Sequence, residues 1–359
     1  MSGLDIGHKM NAGFWAGLFA LLMVVIGNAK INEEQMKGIF GFSKKFFYGR
    51  TNEEIVQQLK NWGVNVVFGG YGDHSLVTSL NEQGIKVYVE FSCFGGEHYW
   101  EKYPDAHPVN EKGEKIKKVK WYAGVCPNHP ELRKEKLDEL RELVRNYDLD
   151  GVWLDFIRYP CHWEVEEPEL WNTCFCKNCL FLFQKDTGIS VSTPEEILGK
   201  YRKEWITWRC ARIIDFVREA REILDEEKPG LILGLFGVPW ENDDYDNAIE
   251  WVIGQRYEDL AKYVDVFSPM VYHRMCGKDV SWINEFVHYL AVKTGKCLVP
   301  IVQAFDDPTG INSDEFEQVM SYALKEPSSG VIVFGLKEIV NKNWEEILQR
   351  HFKVSVRHT

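Results

Sequence analysis

Eight short apolar runs alternating with amphipathic stretches predict an α/β protein, a (β/α)8 barrel of the TIM type. It is read as a single domain with a cysteine-rich insertion after the fourth strand. Three observations carry this. The strands are near-continuously apolar, as in parallel strands covered on both faces. Each is followed by a helical segment. The segment after the first strand, GFSKKFF, lacks the glycine-rich phosphate loop that an open doubly wound sheet would place there.

GIFGF (38–42) is the first strand. Its helix opens at Thr51, with Glu54 three residues on to complete a capping box. VNVVFGG (64–70) is the second strand, followed by the short helix 75–84, and IKVYVEFSCF (85–94) is the third. After a long loop comes the helix 130–147, and then DGVWLDFIRYP (150–160), the fourth strand. A cysteine cluster follows it, then a long helix expected to start near Thr193-Pro194, with Glu196 completing a second capping box. LILGLFGV (231–238), VDVFSPMVY (264–272), CLVPIVQAF (297–305) and GVIVFGL (330–336) complete the set, so that the barrel is expected over 37–355.

Ahead of the barrel, GFWAGLFALLMVV (13–25) is a solid apolar run with small residues at Gly27 and Ala29. That pattern fits a signal peptide ending at residue 29, or an N-terminal membrane anchor. Either places the domain outside the cytoplasm. The net charge of −12 excludes the basic stripe of a nucleic-acid binder.

Asp155 breaks the apolar fourth strand where another Val or Ile is expected. A buried carboxylate must be paired or put to use. At the C-terminal end of a barrel strand a side chain faces the active-site mouth, and the same placement is expected for Glu90, Glu241, Tyr272, His273, Gln303 and Asp306. Glycoside hydrolysis needs one protonated and one ionised carboxyl. Asp155 is the candidate for the ionised one, with Arg158 near enough to hold it charged or to bind substrate. Glu241 is the candidate acid, since its neighbour Trp240 supplies an apolar setting. Trp100, Trp121, Tyr122, Trp163, Trp240, Tyr272 and Trp282 fall in or beside loops after strands, where flat faces suit sugar rings. Asp306, in FDDPTG, reads equally as a turn residue.

TCFCKNC places Cys174, Cys176 and Cys179 as C-x-C-x-x-C, three thiolates able to converge on one metal, with zinc in a closed structural site as the expected ion. Cys126 and Cys161 are both placed to be a fourth ligand. Cys93 and Cys276 lie near the mouth, and Cys210 and Cys297 read as core.

With these residues in hand, the chain resembles the glycoside hydrolase barrels whose fourth strand has the form DG-x-x-LD-[FY]-IRYP, here Asp150 to Pro160. PDAHPVNEKGE (104–114), CPNHPELR (126–133) and SPMVYHR (268–274) carry the likeness further. The cysteines are also similar to those of the family 42 β-galactosidases. That likeness implies Cys126 as partner of Cys174, Cys176 and Cys179 around zinc, with Cys161 in reserve. The catalytic pattern of that family does not transfer, because Leu154-Asp155 and Gln303 stand where it has its Asn-Glu pair and second Glu. An Asp ending the fourth strand and a Glu after the fifth instead resemble retaining barrels of the α-amylase type, which implies Asp155 as nucleophile and Glu241 as acid/base.

The expected activity is an exported glycoside hydrolase acting on a polysaccharide or glycoconjugate. A catalytically inactive glycan-binding barrel is the alternative, and the distance of Glu241 from Asp155 separates the two. A metal-dependent hydrolase falls behind, since GIFGFSKK lacks the H-x-H of such barrels.

Overall fold

The computed structural model describes residues 34–353. The apolar run 13–25 and its expected cleavage site lie outside the described residues. Among the described residues, no helix is long and apolar enough to cross a membrane.

Nine parallel strands form one sheet: β1 (Met36–Phe42), β2 (Val66–Gly69), β3 (Lys86–Ser92), β4 (Gly151–Asp155), β5 (Ile232–Gly237), β6 (Val266–Pro269), β7 (Cys297–Leu298), β8 (Ile301–Gln303) and β9 (Gly330–Phe334). Their order is β7-β6-β5-β4-β3-β2-β1-β9-β8. β7 and β8 are two pieces of the single seventh strand expected from CLVPIVQAF, interrupted at Pro300, which has no N–H to give to a ladder. The stretch still touches both neighbours. Val299 N–H donates to Phe267 O (2.9 Å), Val271 N–H to Ile301 O (3.1 Å) and Ile332 N–H to Pro300 O (2.9 Å). The sheet therefore closes on itself, as in the (β/α)8 barrel.

Alternation along the strands decides what fills the barrel. Val87, Val89 and Phe91 of β3 and Val152 and Leu154 of β4 are buried, on the face opposite to Tyr88, Glu90, Trp153 and Asp155. Inside, Trp153 stacks on Tyr88 (4.6 Å between centroids, 25°) and meets Phe68 edge-on (5.1 Å). Its indole N–H donates to Ser268 Oγ at 2.9 Å. A Cβ at Gly234 would lie 2.0 Å from the Trp153 ring, which is why glycine interrupts the apolar run of β5.

The helices follow their local signals. Thr51 and Glu54 form a complete capping box, with Thr51 N–H donating to the Glu54 carboxylate (2.8 Å) and Glu54 N–H to Thr51 Oγ1 (3.3 Å). The expected long helix at Thr193-Pro194 is two helices, Pro194–Lys200 and Arg202–Glu227, broken at Tyr201 just after the weak helix former Gly199. Glu196 also caps one residue earlier than expected: its carboxylate accepts from Ser192 N–H (3.0 Å).

Candidate active site

β3 and β4 lie side by side with Ser92 level with Asp155 and Glu90 level with Trp153, which sets the Glu90 and Asp155 carboxyls on the same inward face. Asp155 Oδ1 accepts the N–H of Phe156 at 2.7 Å. Phe156 has φ +49°, so the chain turns sharply as it leaves the strand and holds that carboxylate against the turn.

The two carboxyls share a hydrogen bond that raises the pKa of Glu90 and lowers that of Asp155, so Glu90 keeps the proton and donates it to the Asp155 carboxylate. Burial pushes Glu90 well above the usual carboxylate range, and the charge of Asp155 adds to the shift. Burial raises Asp155 as well, opposed by the Phe156 N–H and the Arg158 guanidinium.

Both line a cavity of about 320 Å³ at the barrel mouth, floored by Phe40, Phe236, Phe334, Met270 and Ile301. Trp163 and Tyr272 stack on one another along its wall (5.9 Å, 19°). Trp121, 58% exposed, stands at its rim. Burial keeps the Tyr272 phenol protonated, and the carboxyls of Glu164, Asp155 and Glu90 are near enough to reinforce the shift. Arg158 is buried on the ring of Tyr122 (4.7 Å) and donates to Tyr122 Oη (3.1 Å) and Cys161 O (2.9 Å).

Other expected mouth residues are drawn elsewhere. His273 does not line the cavity: its Nε2 pairs with Glu315 Oε1 at 2.8 Å, and the same carboxylate binds Arg274. Gln303 fastens loops, its Nε2 donating to Phe305 O (3.0 Å) and Asp307 O (2.6 Å). Asp306 is the turn residue its sequence allowed, pairing with Lys342 Nζ (2.5 Å) and accepting from Ile311 N–H (3.0 Å). Glu241 lies outside the cavity in an acidic loop, its own N–H donating to Asp244 Oδ2 (2.8 Å). Trp240 packs on Tyr245 (5.1 Å) and walls a separate small crevice behind Trp163.

The cysteine insertion folds back on the barrel. The sulfurs of Cys126, Cys174, Cys176 and Cys179 all lie within 4.8 Å of one another and are buried. Cys126 Sγ is 3.8 Å from Cys176 Sγ and 3.4 Å from Cys179 Sγ. A tetrahedron of thiolates around zinc has edges of about 3.8 Å for a Zn–S bond of about 2.3 Å, so the set fits a metal ion. Val109 N–H (3.4 Å) and Asn128 Nδ2 (3.3 Å) donate to Cys174 and Cys179, as thiolate ligands require. Cys161 turns away, its thiol directed at Glu169 O (3.3 Å). Cys93 and Cys276 are separate buried thiols.

Residues 53–286 match the family described as "Putative glycosyl hydrolase domain". The chain belongs to that family. A curated relative, an S-layer-related protein of Niallia circulans, is 25% identical over 195 residues, 47% of this chain and 12% of that protein, so the chain spans only a small part of the relative's length. Among solved structures, the PgaB (BpsB) glycoside hydrolase domain from Bordetella bronchiseptica superposes with a TM-score of 0.67 at 13% identity, over 90% of this chain and 99% of that one. The E323A catalytic mutant of Gan42B, a GH42 β-galactosidase from G. stearothermophilus, gives 0.60 at 12% identity, over 88% and 56%. The α-L-fucosidase isoenzyme 2 from Paenibacillus thiaminolyticus gives 0.58 at 14%, over 89% and 49%. At these identities the structural likeness establishes the fold, and the family establishes a glycoside hydrolase.

One cavity carboxyl of this glycosyl hydrolase domain was not among the residues singled out from the sequence. Glu164, in the loop after β4, lines the same cavity as Asp155. The signal was present in the dipeptide Trp163-Glu164, the same pairing that made Trp240-Glu241 attractive.

Proposed function

We propose that the domain cleaves glycosidic bonds of a polysaccharide or glycoconjugate at the barrel mouth, outside the cytoplasm, with Asp155 as the ionised carboxylate that attacks the anomeric carbon. One observation carries this reading: Asp155 sits in an apolar-floored cavity and receives a proton-bearing hydrogen bond from Glu90, beside the cation of Arg158. Burial raises its basicity, while the hydrogen bonds from Glu90 and the Phe156 N–H and the charge of Arg158 keep it ionised and fixed in place. Trp121 at the rim and Trp163 in the wall offer flat faces to sugar rings. Export is supported by the run 13–25, and the S-layer-related description of the Niallia circulans protein suits a partner at the cell surface.

Zinc is the ion we assign to Cys126, Cys174, Cys176 and Cys179. Bound there it would cross-link the insertion to the head of the helix Pro130–Asn146, a structural role with no part in bond cleavage.

The test is reducing-sugar release by the full chain across a polysaccharide panel, wild type beside Asp155→Asn. The expected result is cleavage of one glycan by the wild type and a loss of roughly 10⁴-fold or more in the variant, with an unchanged circular dichroism spectrum. Equal cleavage by both removes Asp155 from the mechanism. Binding of a glycan without cleavage by either identifies a lectin-like barrel.

A further inference from the structure

The reading above leaves open which group protonates the departing sugar. Glu90 is excluded by contact: it shares a hydrogen bond with Asp155, whereas the two working carboxyls of a glycosidase stand about 5 Å or more apart to leave room for the bond being cut. Glu241 is excluded by place, since it does not line the cavity. We propose that Glu164, in the loop after β4, is the catalytic acid/base of this hydrolase.

Four observations support the assignment. Glu164 lines the same cavity as Asp155, beside Trp163 and Tyr272. Its carboxyl takes part in no hydrogen bond or ion pair within the described protein, although Arg158 is close enough to act on it through its charge. The other cavity carboxyls are held by protein donors or by each other; this one is free to meet a ligand. Third, burial pushes Glu164 up to about 7, aided by the charge of Asp155 and opposed by Arg158. That is where a group must titrate to give and take a proton near neutrality.

Fourth, the loop is anchored on both sides of Glu164. Before it, Arg158 binds Cys161 O and Trp163 stacks on Tyr272. After it, Glu166 lies across Gly277, where a Cβ would come within 2.6 Å of its Cγ. Glu169 N–H bonds His162 O (3.1 Å), and the loop ends in the cysteine cluster. The acid is thus carried on a pinned segment, as a proton donor requires.

The step, which rests on Asp155 as nucleophile, is a double displacement. Glu164 gives its proton to the glycosidic oxygen as the C1–O bond breaks, and the bonding pair stays on that oxygen. An Asp155 oxygen forms the new bond to C1. Glu164, now a carboxylate, takes a proton from water as the water oxygen attacks C1 and releases Asp155. One water is consumed, and both carboxyls return to their starting states.

The experiment uses the full chain, with methyl and dinitrophenyl glycosides of both anomers of galactose, glucose, fucose, N-acetylglucosamine and N-acetylgalactosamine. A methyl leaving group needs protonation; a dinitrophenolate does not. Glu164→Gln is expected to lower kcat/KM on the methyl glycoside by about 10²–10⁴ while staying within about an order of magnitude of wild type on the dinitrophenyl one. Glu241→Gln should change neither. Equal losses of Glu164→Gln on both leaving groups, or the selective loss appearing in Glu241→Gln instead, overturns the proposal. If the wild type cleaves nothing in this panel and releases no reducing sugar from the polysaccharides either, the glycosidase reading itself fails. Glu164 is then judged by carbon-13 titration of its carboxyl: a midpoint near neutrality upholds a proton-exchanging group, and one in the ordinary carboxylate range overturns it.

Discussion

The loops after β4 and β5 each carry a Trp-Glu pair and a cluster of acids, yet they end in different places. In the β4 loop Trp163 lies against Tyr272 and turns Glu164 into the cavity. In the β5 loop Trp240 packs on Tyr245 outside it, and Glu241 stays among Asp243 and Asp244, whose charges raise its pKa behind burial. The chain around Glu241 passes through three successive left-handed residues, Tyr245, Asp246 and Asn247, and closes on its own side chains, Asn242 Nδ2 donating to Asn247 Oδ1 (2.8 Å). Tyr289 also bonds Asn242 there (3.0 and 2.6 Å), whereas the β4 loop lies against Tyr272 and Gly277 and ends in the cysteine cluster. An apolar neighbour in sequence is a weak guide to a carboxyl's chemistry; what fixes the loop in space is the stronger one.

The largest effect that sharpens this contrast concerns the cysteines. The β4 loop ends at Cys174 and Cys176, which lie against Cys126; zinc held there would tie the loop's path to that residue, and the β5 loop ends in no such cluster. Removing zinc with a strong chelator, or making Cys176→Ser, is expected to lower the melting temperature by several degrees. Methyl glycosides should lose more activity than dinitrophenyl ones, because the proton donor is what drifts. Metal analysis of the untreated protein should find one zinc ion per chain. An unchanged leaving-group ratio after metal loss would uncouple the cluster from Glu164.

Much of this was legible in the sequence. All eight strands stand where apolar runs predicted them, because a strand buried on both faces needs a continuous run whatever its neighbours are. Asp155 and Glu90 could be placed by parity, since a strand side chain points the way its second neighbour does. A place at a strand end names the mouth and no partner, so His273 and Gln303 also looked like mouth residues. Glu315, from the helix Ser313–Ala323, takes the first, and the carbonyls of Phe305 and Asp307 take the second. The dipeptide Trp163-Glu164 was there to be read, but what turns it into the cavity is the contact of its loop with Tyr272 and Gly277, distant in sequence, which no local pattern announces.

The pH profile separates the two loops next. Cleavage requires Asp155 ionised and the acid protonated, so activity rises with pH as Asp155, itself raised by burial, loses its proton. It falls as Glu164 loses its own at about 7. The alkaline limb of kcat/KM on a methyl glycoside should therefore lie near neutrality and disappear in Glu164→Gln. A limb that survives in Glu164→Gln and vanishes in Glu241→Gln would reverse the assignment.

The smallest expected effect concerns the pair inside the barrel, which differs from either loop in being held by its own hydrogen bond. Glu90, Asp155 and Glu164 all have native pKa values above those of the unfolded chain. Between the ordinary carboxylate range and those raised values, the native state binds more protons than the unfolded one. Stability is therefore fully present in acid and falls as pH rises through the native values. Glu90→Gln keeps a donor toward Asp155 and removes one of the three titrations. Its melting temperature should match wild type below the ordinary carboxylate range and exceed it by a few degrees in mild alkali, read by calorimetry across that span. Most activity should persist, because an amide N–H can give Asp155 the hydrogen bond that the Glu90 proton gave. A variant equally stable at both ends of the range would mean that Glu90 is ionised in the native barrel, and Asp155 would then face a second charge in place of a proton donor.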